Sequence, residues 1–129
     1  EYMFLLSKNQ NYYFDVESIK IPTVDGEGMK RRKSVWEVQT KPYKDAHFAV
    51  YPPELIEPCI LAGSERGDII LDPFMGSGTT AAVAKSLGRN YIGCELHEDY
   101  GNLIQKRVSE YKPVSEVAQE PPINILDIV

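Results

Sequence analysis

Several things are scarce in this sequence. It holds two cysteines, Cys59 and Cys94, and two histidines, His47 and His97. Neither histidine stands in a Cys/His cluster, so the spacing offers no zinc site. Two cysteines without a secretion signal predict reduced thiols rather than a disulfide frame. No apolar run approaches the roughly 18–20 residues that span a bilayer. The start, Glu1 to Lys8, has a very short apolar run and no basic lead, unlike a signal peptide. A cytoplasmic protein with no membrane partner is the expectation. Positive charge is also in deficit: 14 Lys and Arg stand against 19 Asp and Glu, a net charge of −5. Small dedicated nucleic-acid clamps are usually basic, so a free-standing one is disfavoured. No repeat or low-complexity stretch is visible.

What remains is an ordinary globular mix, 43% hydrophobic and 26% charged, and its 129 residues are room for one domain. Tyr2 to Leu6 reads as a buried strand, 7–11 as a polar turn and Tyr12 to Phe14 as a second short strand, together a hairpin. Residues 15–34 read as a loop, with Asp25-Gly26-Glu27-Gly28 as a turn and Lys30-Arg31-Arg32-Lys33 as a basic run. Trp36 to Gln39 alternates apolar and polar residues, as an extended segment does, and Trp36 reads as core. Pro52-Pro53 opens a helix with Leu55, Ile56, Cys59, Ile60 and Leu61 on its apolar face. Pro58 predicts a kink or late start, and Gly63 a stop.

The most informative stretch is 68–95. Ile69 to Leu71 is a short apolar run, as in a parallel strand. A glycine loop follows, then a helix from about Thr79 to Leu87 closed by Gly88. Asn90 to Glu95 is the next strand, with Cys94 read as a small buried hydrophobe. This is a βαβ unit with a right-handed crossover. Beyond it, Tyr100, Leu103, Ile104, Arg107, Val108 and Tyr111 are spaced for one face of a helix. The tail after Pro113 is a last strand or a linker.

The loop chemistry narrows the ligand. Gly76 and Gly78 let a ligand approach the backbone closely, and the helix start offers N–H groups. Glu95 stands where a carboxylate can accept from ribose hydroxyls. Gly76-x-Gly78-x-x-Ala81 formally fits a dinucleotide fingerprint, which would mean NAD. Asp72 argues against it, because a carboxylate beside the loop repels a pyrophosphate. It suits instead the amino group of a methionine moiety, which points to S-adenosylmethionine. Phe74 is either a plug under the loop or a wall of the pocket. Ser77 and Thr79 either cap the helix or meet the cofactor carboxylate. Leu96 packs beside the adenine or faces the core.

Asp72-Pro73-Phe74-Met75-Gly76-Ser77-Gly78-Thr79-Thr80 resembles the methionine-binding motif of DNA amino-methyltransferases, which modify N6 of adenine or N4 of cytosine. His47-Phe48-Ala49-Val50-Tyr51-Pro52 resembles the family segment that closes over the methionine part. Asn90 to Leu96 resembles the strand whose terminal acid binds ribose, and Glu1 to Asp15 a late strand pair. The resemblance covers roughly 1–15 and 34–111. It implies a partial Rossmann-like α/β methyltransferase fold in the β-type motif order. Within one incomplete domain, 1–15 would be a catalytic-half hairpin and 16–34 a loop at the target-recognition position. Residues 35–112 would be the cofactor half and 113–129 a tail.

The implied cofactor is S-adenosylmethionine. Its contacts would be His47, Phe48, Ala49, Asp72, Pro73, Phe74, Gly76, Ser77, Gly78, Thr79, Glu95 and Leu96. Lys30, Arg31, Arg32 and Lys33 would contact DNA, and no metal is expected. The target base would be flipped out of the duplex. The family's catalytic motif, an Asp, Asn or Ser followed by Pro-Pro and an aromatic, is expected before Glu1. Tyr51-Pro52-Pro53-Glu54 carries its aromatic on the wrong side. The expectation is therefore a C-terminal fragment that is inactive alone. Its partners would be DNA and the missing N-terminal half or a complementary chain, and a homodimer and a restriction partner are both admitted. The other readings are an RNA or small-molecule methyltransferase, or an inactive cofactor-binding subunit.

Overall fold

The computed structural model describes residues 2–39 and 50–111. His47, Phe48, Ala49 and the tail 113–129 lie outside the described residues.

An antiparallel pair, β1 (Ile21–Pro22) and β2 (Met29–Lys30), comes first. Its turn is closed by Thr23, whose hydroxyl bonds the Asp25 carboxylate and whose backbone N–H donates to Gly28 O at 2.9 Å. The helix α1 (Pro53–Gly63) follows, then β3 (Ile69–Asp72), α2 (Thr79–Ser86), β4 (Asn90–Gly93) and α3 (Tyr100–Glu110). β3 and β4 pair in parallel, Ile69 opposite Asn90 and Asp72 opposite Gly93. The expected α/β class and parallel βαβ unit are thus present.

The hairpin is present but displaced. Tyr2 to Phe14 forms no strand among the described residues; the paired strands lie in 21–30, inside the stretch read as loop. A strand needs a neighbouring ladder for its N–H and C=O groups, and Tyr2–Leu6 meets none here. Trp36 to Gln39 likewise forms no strand, yet Trp36 and Val38 are half-buried while Val35, Glu37 and Gln39 are exposed, keeping the alternation.

Helix α1 runs through Pro58, which is itself buried, and ends at Ser64, whose hydroxyl donates to Ile60 O at 2.6 Å. Helix α2 lies at the centre, packed on α1, α3 and both strands. Its Ala81 and Ala82 join Met75 and Val108 in one buried cluster, and its Val83 and Ala84 join Ile60 in another. Small side chains allow that approach from several sides. Tyr111 packs against both clusters. On α3 the six residues chosen by spacing are the only ones of 100–111 that are half-buried or buried. The sheet departs from expectation: Ile69 and Leu71 stay mostly exposed, and all of β4 is exposed. Cys94 also lies exposed past the end of β4, not buried on a strand. Among the described residues no helix is long and apolar enough to cross a membrane.

Candidate cofactor site

The parallel register brings the ends of β3 and β4 to one edge. Asp72 closes β3, and Cys94, just past β4, donates its N–H to Asp72 O at 3.0 Å. Met75 returns the tie by donating to Cys94 O at 2.8 Å. The glycine loop therefore leaves one strand end and is sewn to the other.

Two glycines make that path feasible. Gly78 has φ +83°, and a Cβ there would stand 3.1 Å from Ile104 Cγ2 and 3.2 Å from its Cα. Left-handed backbone and close helix packing coincide at one residue, which only glycine satisfies without strain. At Gly93 a Cβ would fall on the end of the Met75 side chain, so the thioether lies directly over the β4 backbone.

The carboxylates are held differently. Asp72 Oδ1 accepts from Phe74 N at 3.0 Å. Its Oδ2 accepts from Thr80 Oγ1 at 2.5 Å and from the Tyr51 hydroxyl at 3.3 Å. Tyr51 and Thr80 also bond each other at 2.5 Å. Burial pushes the Tyr51 phenol above its ordinary range, with the Asp72 charge adding to it. Neutral Tyr51 is thus a standing donor.

Glu95 accepts from His97 N through Oε1 and from Gly76 N through Oε2, each at 2.8 Å. The His97 N–H, first, and then the Gly76 N–H hold its carboxyl below the usual range. A carboxylate has about four lone-pair sites, so Glu95 can serve the loop and still accept from a ligand.

The remaining predicted residues fall as follows. Ser77 and Thr79 are buried, and α2 has no side-chain cap: its N-cap is Gly78. The capping alternative is therefore not realised. Ser77 Oγ instead accepts from Arg107 Nη1 at 2.6 Å. Phe74 is 88% exposed and Leu96 92%, so neither the plug nor the core alternative holds. Pro73 is exposed beside them. Arg31 and Lys33 are exposed, whereas Arg32 stacks over Trp36 at 5.1 Å from the ring centroid. Trp36 is half-buried and gives its indole N–H to Lys33 O at 2.7 Å. No group of three or more metal-binding side chains occurs among the described residues.

Three residues of the site were missed in sequence: Tyr51, Thr80 and Arg107. Arg107 carried a signal, since a charged residue on the inward stripe of a helix needs a partner. Thr80 stood in the loop motif, but its tie to Asp72 needs the turn geometry to be seen.

The family model for DNA methylase matches residues 1–106. Type II methyltransferase M.SmaI of Serratia marcescens is 49% identical over 109 residues, covering 84% of this chain and 37% of that protein. Type II methyltransferase M.XycI of Xanthomonas campestris pv. cyanopsidis is 45% identical over 108 residues, with 84% and 36% covered. The chain thus spans little more than a third of the length of these curated relatives. Among solved structures, the M1.HpyAVI–SAM complex is 30% identical with a TM-score of 0.57, over 75% of this chain and 43% of that one. With a match that runs from its first residue into α3, the chain belongs to the N6/N4 DNA methylase family.

Proposed function

We propose that this chain seats S-adenosylmethionine for methyl transfer to the exocyclic amine of adenine (N6) or cytosine (N4) in DNA. One observation carries the reading: the glycine loop is pinned at the carboxyl edge of the parallel pair between Asp72 and Glu95. Sheet edges of this kind are where such ligands sit. The names of the relatives, and the SAM bound in the neighbouring structure, support it.

Bound there, the cofactor supplies an electrophilic methyl group. Asp72, oriented by Thr80, Tyr51 and Phe74 N–H, takes the ammonium of the methionine end. Glu95 accepts from the ribose hydroxyls. Phe74 and Leu96 offer exposed apolar surface for the adenine and thioether parts, with Pro73, Gly76, Ser77, Gly78 and Thr79 forming the floor. His47, Phe48 and Ala49 keep the role implied by the sequence resemblance. Arg31 and Lys33 meet DNA phosphates. Lys30, half-buried in β2, and Arg32, stacked on Trp36, shape that surface.

Residues 1–129 contain no Asp, Asn or Ser followed by Pro-Pro and an aromatic. In this reading the base is held by residues on a longer chain or on a complementary chain of different sequence. The chain's own work is positioning.

Calorimetry with S-adenosylhomocysteine and with NAD tests the seat: the first should bind and the second should not. NAD binding without S-adenosylhomocysteine binding would overturn the reading. Nucleoside analysis of DNA methylated by the whole enzyme then separates N6-methyladenine from N4-methylcytosine. Methylation of RNA or a small molecule with DNA left untouched would move the function to those substrates.

A further inference from the structure

Arg107 is the buried charge that the cofactor reading leaves unused. It sits on α3, 8% exposed, and reaches across 30 residues to Ser77, itself 5% exposed. Ser77 stands between Gly76 and Gly78, both at positive φ. Those two residues give the loop its freedom, and Arg107 removes it at the residue between them. The adjacent residue is held from the other side, since Gly76 N–H donates to Glu95. The loop is thus clamped at neighbouring positions by opposite charges. In the cofactor reading, the anionic clamp is the group that accepts from the ribose hydroxyls. The cationic clamp holds Ser77, two residues before α2 begins.

We infer that Arg107 is a positioning residue that holds the glycine loop through Ser77 and tunes it for the carboxylate at the methionine end of the cofactor. This rests on the cofactor reading above. The guanidinium acts in two ways. Its charge-assisted bond fixes Ser77, and a hydroxyl that accepts from a cation becomes a stronger donor. Its positive charge also raises the local potential, which stays effective because the pair is removed from water. The field acts beyond Ser77, on the hydroxyls of Tyr51 and Tyr111. Asp72 takes the ammonium and Glu95 the ribose, so Arg107 completes the set at the one anionic group of the ligand.

The test compares two ligands that differ only in that carboxylate: S-adenosylhomocysteine, and S-adenosyl-3-thiopropylamine, which keeps the amine and lacks it. Calorimetry on the chain and its Arg107→Met, Arg107→Lys and Ser77→Ala variants gives the readout. Arg107→Met and Ser77→Ala should weaken S-adenosylhomocysteine by about tenfold or more, and leave the carboxylate-free ligand within about twofold. Arg107→Lys, which keeps the charge, should recover part of the loss. Equal weakening of both ligands would mean that Arg107 is only scaffold, and no weakening of either would mean that it has no part in binding; each overturns the inference. If Arg107→Met does not fold by circular dichroism, Ser77→Ala, which keeps the buried cation, decides on the same criterion. Should the unaltered chain bind neither ligand, the cofactor reading itself falls, and this inference with it.

Discussion

Residues 50–111 and residues 2–39 both carry apolar clusters, yet only the first buries them. Among the described residues, every buried Ala, Val, Ile and Met side chain lies between Ile60 and Val108. Tyr2, Phe4 and Leu6 are each more than four-fifths exposed, and Tyr12, Tyr13 and Phe14 between 42% and 51%. The stretches are joined by few ties, among them Asp15 N–H to Ala62 O at 2.8 Å and the Cys59 thiol against Met3 Sδ. The difference lies in contact range. β3, α2, β4 and α3 follow one another in sequence and pack on their neighbours, so short connections suffice. A run such as Tyr2–Leu6 is only a strand where distant segments bring it a ladder.

The strongest way to break this comparison is to put a methyl group into the packed unit. Gly78→Ala forces left-handed backbone on alanine and drives its Cβ into Ile104. A loss of about 2–5 kcal/mol is expected in urea unfolding. Wild-type stability in that variant would show the loop to be looser than described. Next comes the site: Asp72→Asn should weaken S-adenosylhomocysteine roughly ten- to a hundredfold in calorimetry, the value of a charge-assisted bond. An unchanged affinity would remove Asp72 from the site. Val83→Ala, in a fully buried position, should cost about 1–3 kcal/mol by thermal melting.

The pH response sharpens the comparison without any mutation. Glu95 has a depressed pKa in the folded chain. Its contribution is therefore present above the ordinary carboxylate range and is lost as pH falls through the lower folded value. Fluorescence or calorimetric titration should show cofactor-analogue binding flat between about pH 5.5 and 8, weakening only below the ordinary value of about 4.3. A midpoint near neutrality would mean that another group controls the site. The smallest effect belongs to the other region: Leu6→Ser should change stability by less than about 0.5 kcal/mol. A large loss would place that stretch in the core.

The same contrast governs what could be read from sequence. Helix α3 was legible to the residue, because a 3.6-residue period needs only local information. The meeting of Asp72 and Glu95 at one sheet edge was legible too, since a glycine loop between two strand-like runs fixes which ends meet. The Tyr2–Phe14 hairpin misled, because aromatic and aliphatic runs report a taste for burial without naming the partner. Cys94 misled in the same way: its strand ends one residue earlier, and the sheet face it shares is open. Arg107 needed three dimensions, since its partner lies 30 residues away.

Tyr111 follows α3, and its side chain packs against two clusters that each contain residues of α2. Burial, with Glu57 and Glu54 adding to it, pushes its phenol up to about 12. One side chain thus acts as a hinge pin between two half-cores that share no buried member. Truncating that ring is expected to loosen both clusters at once and so to couple the loop site to the α1 packing.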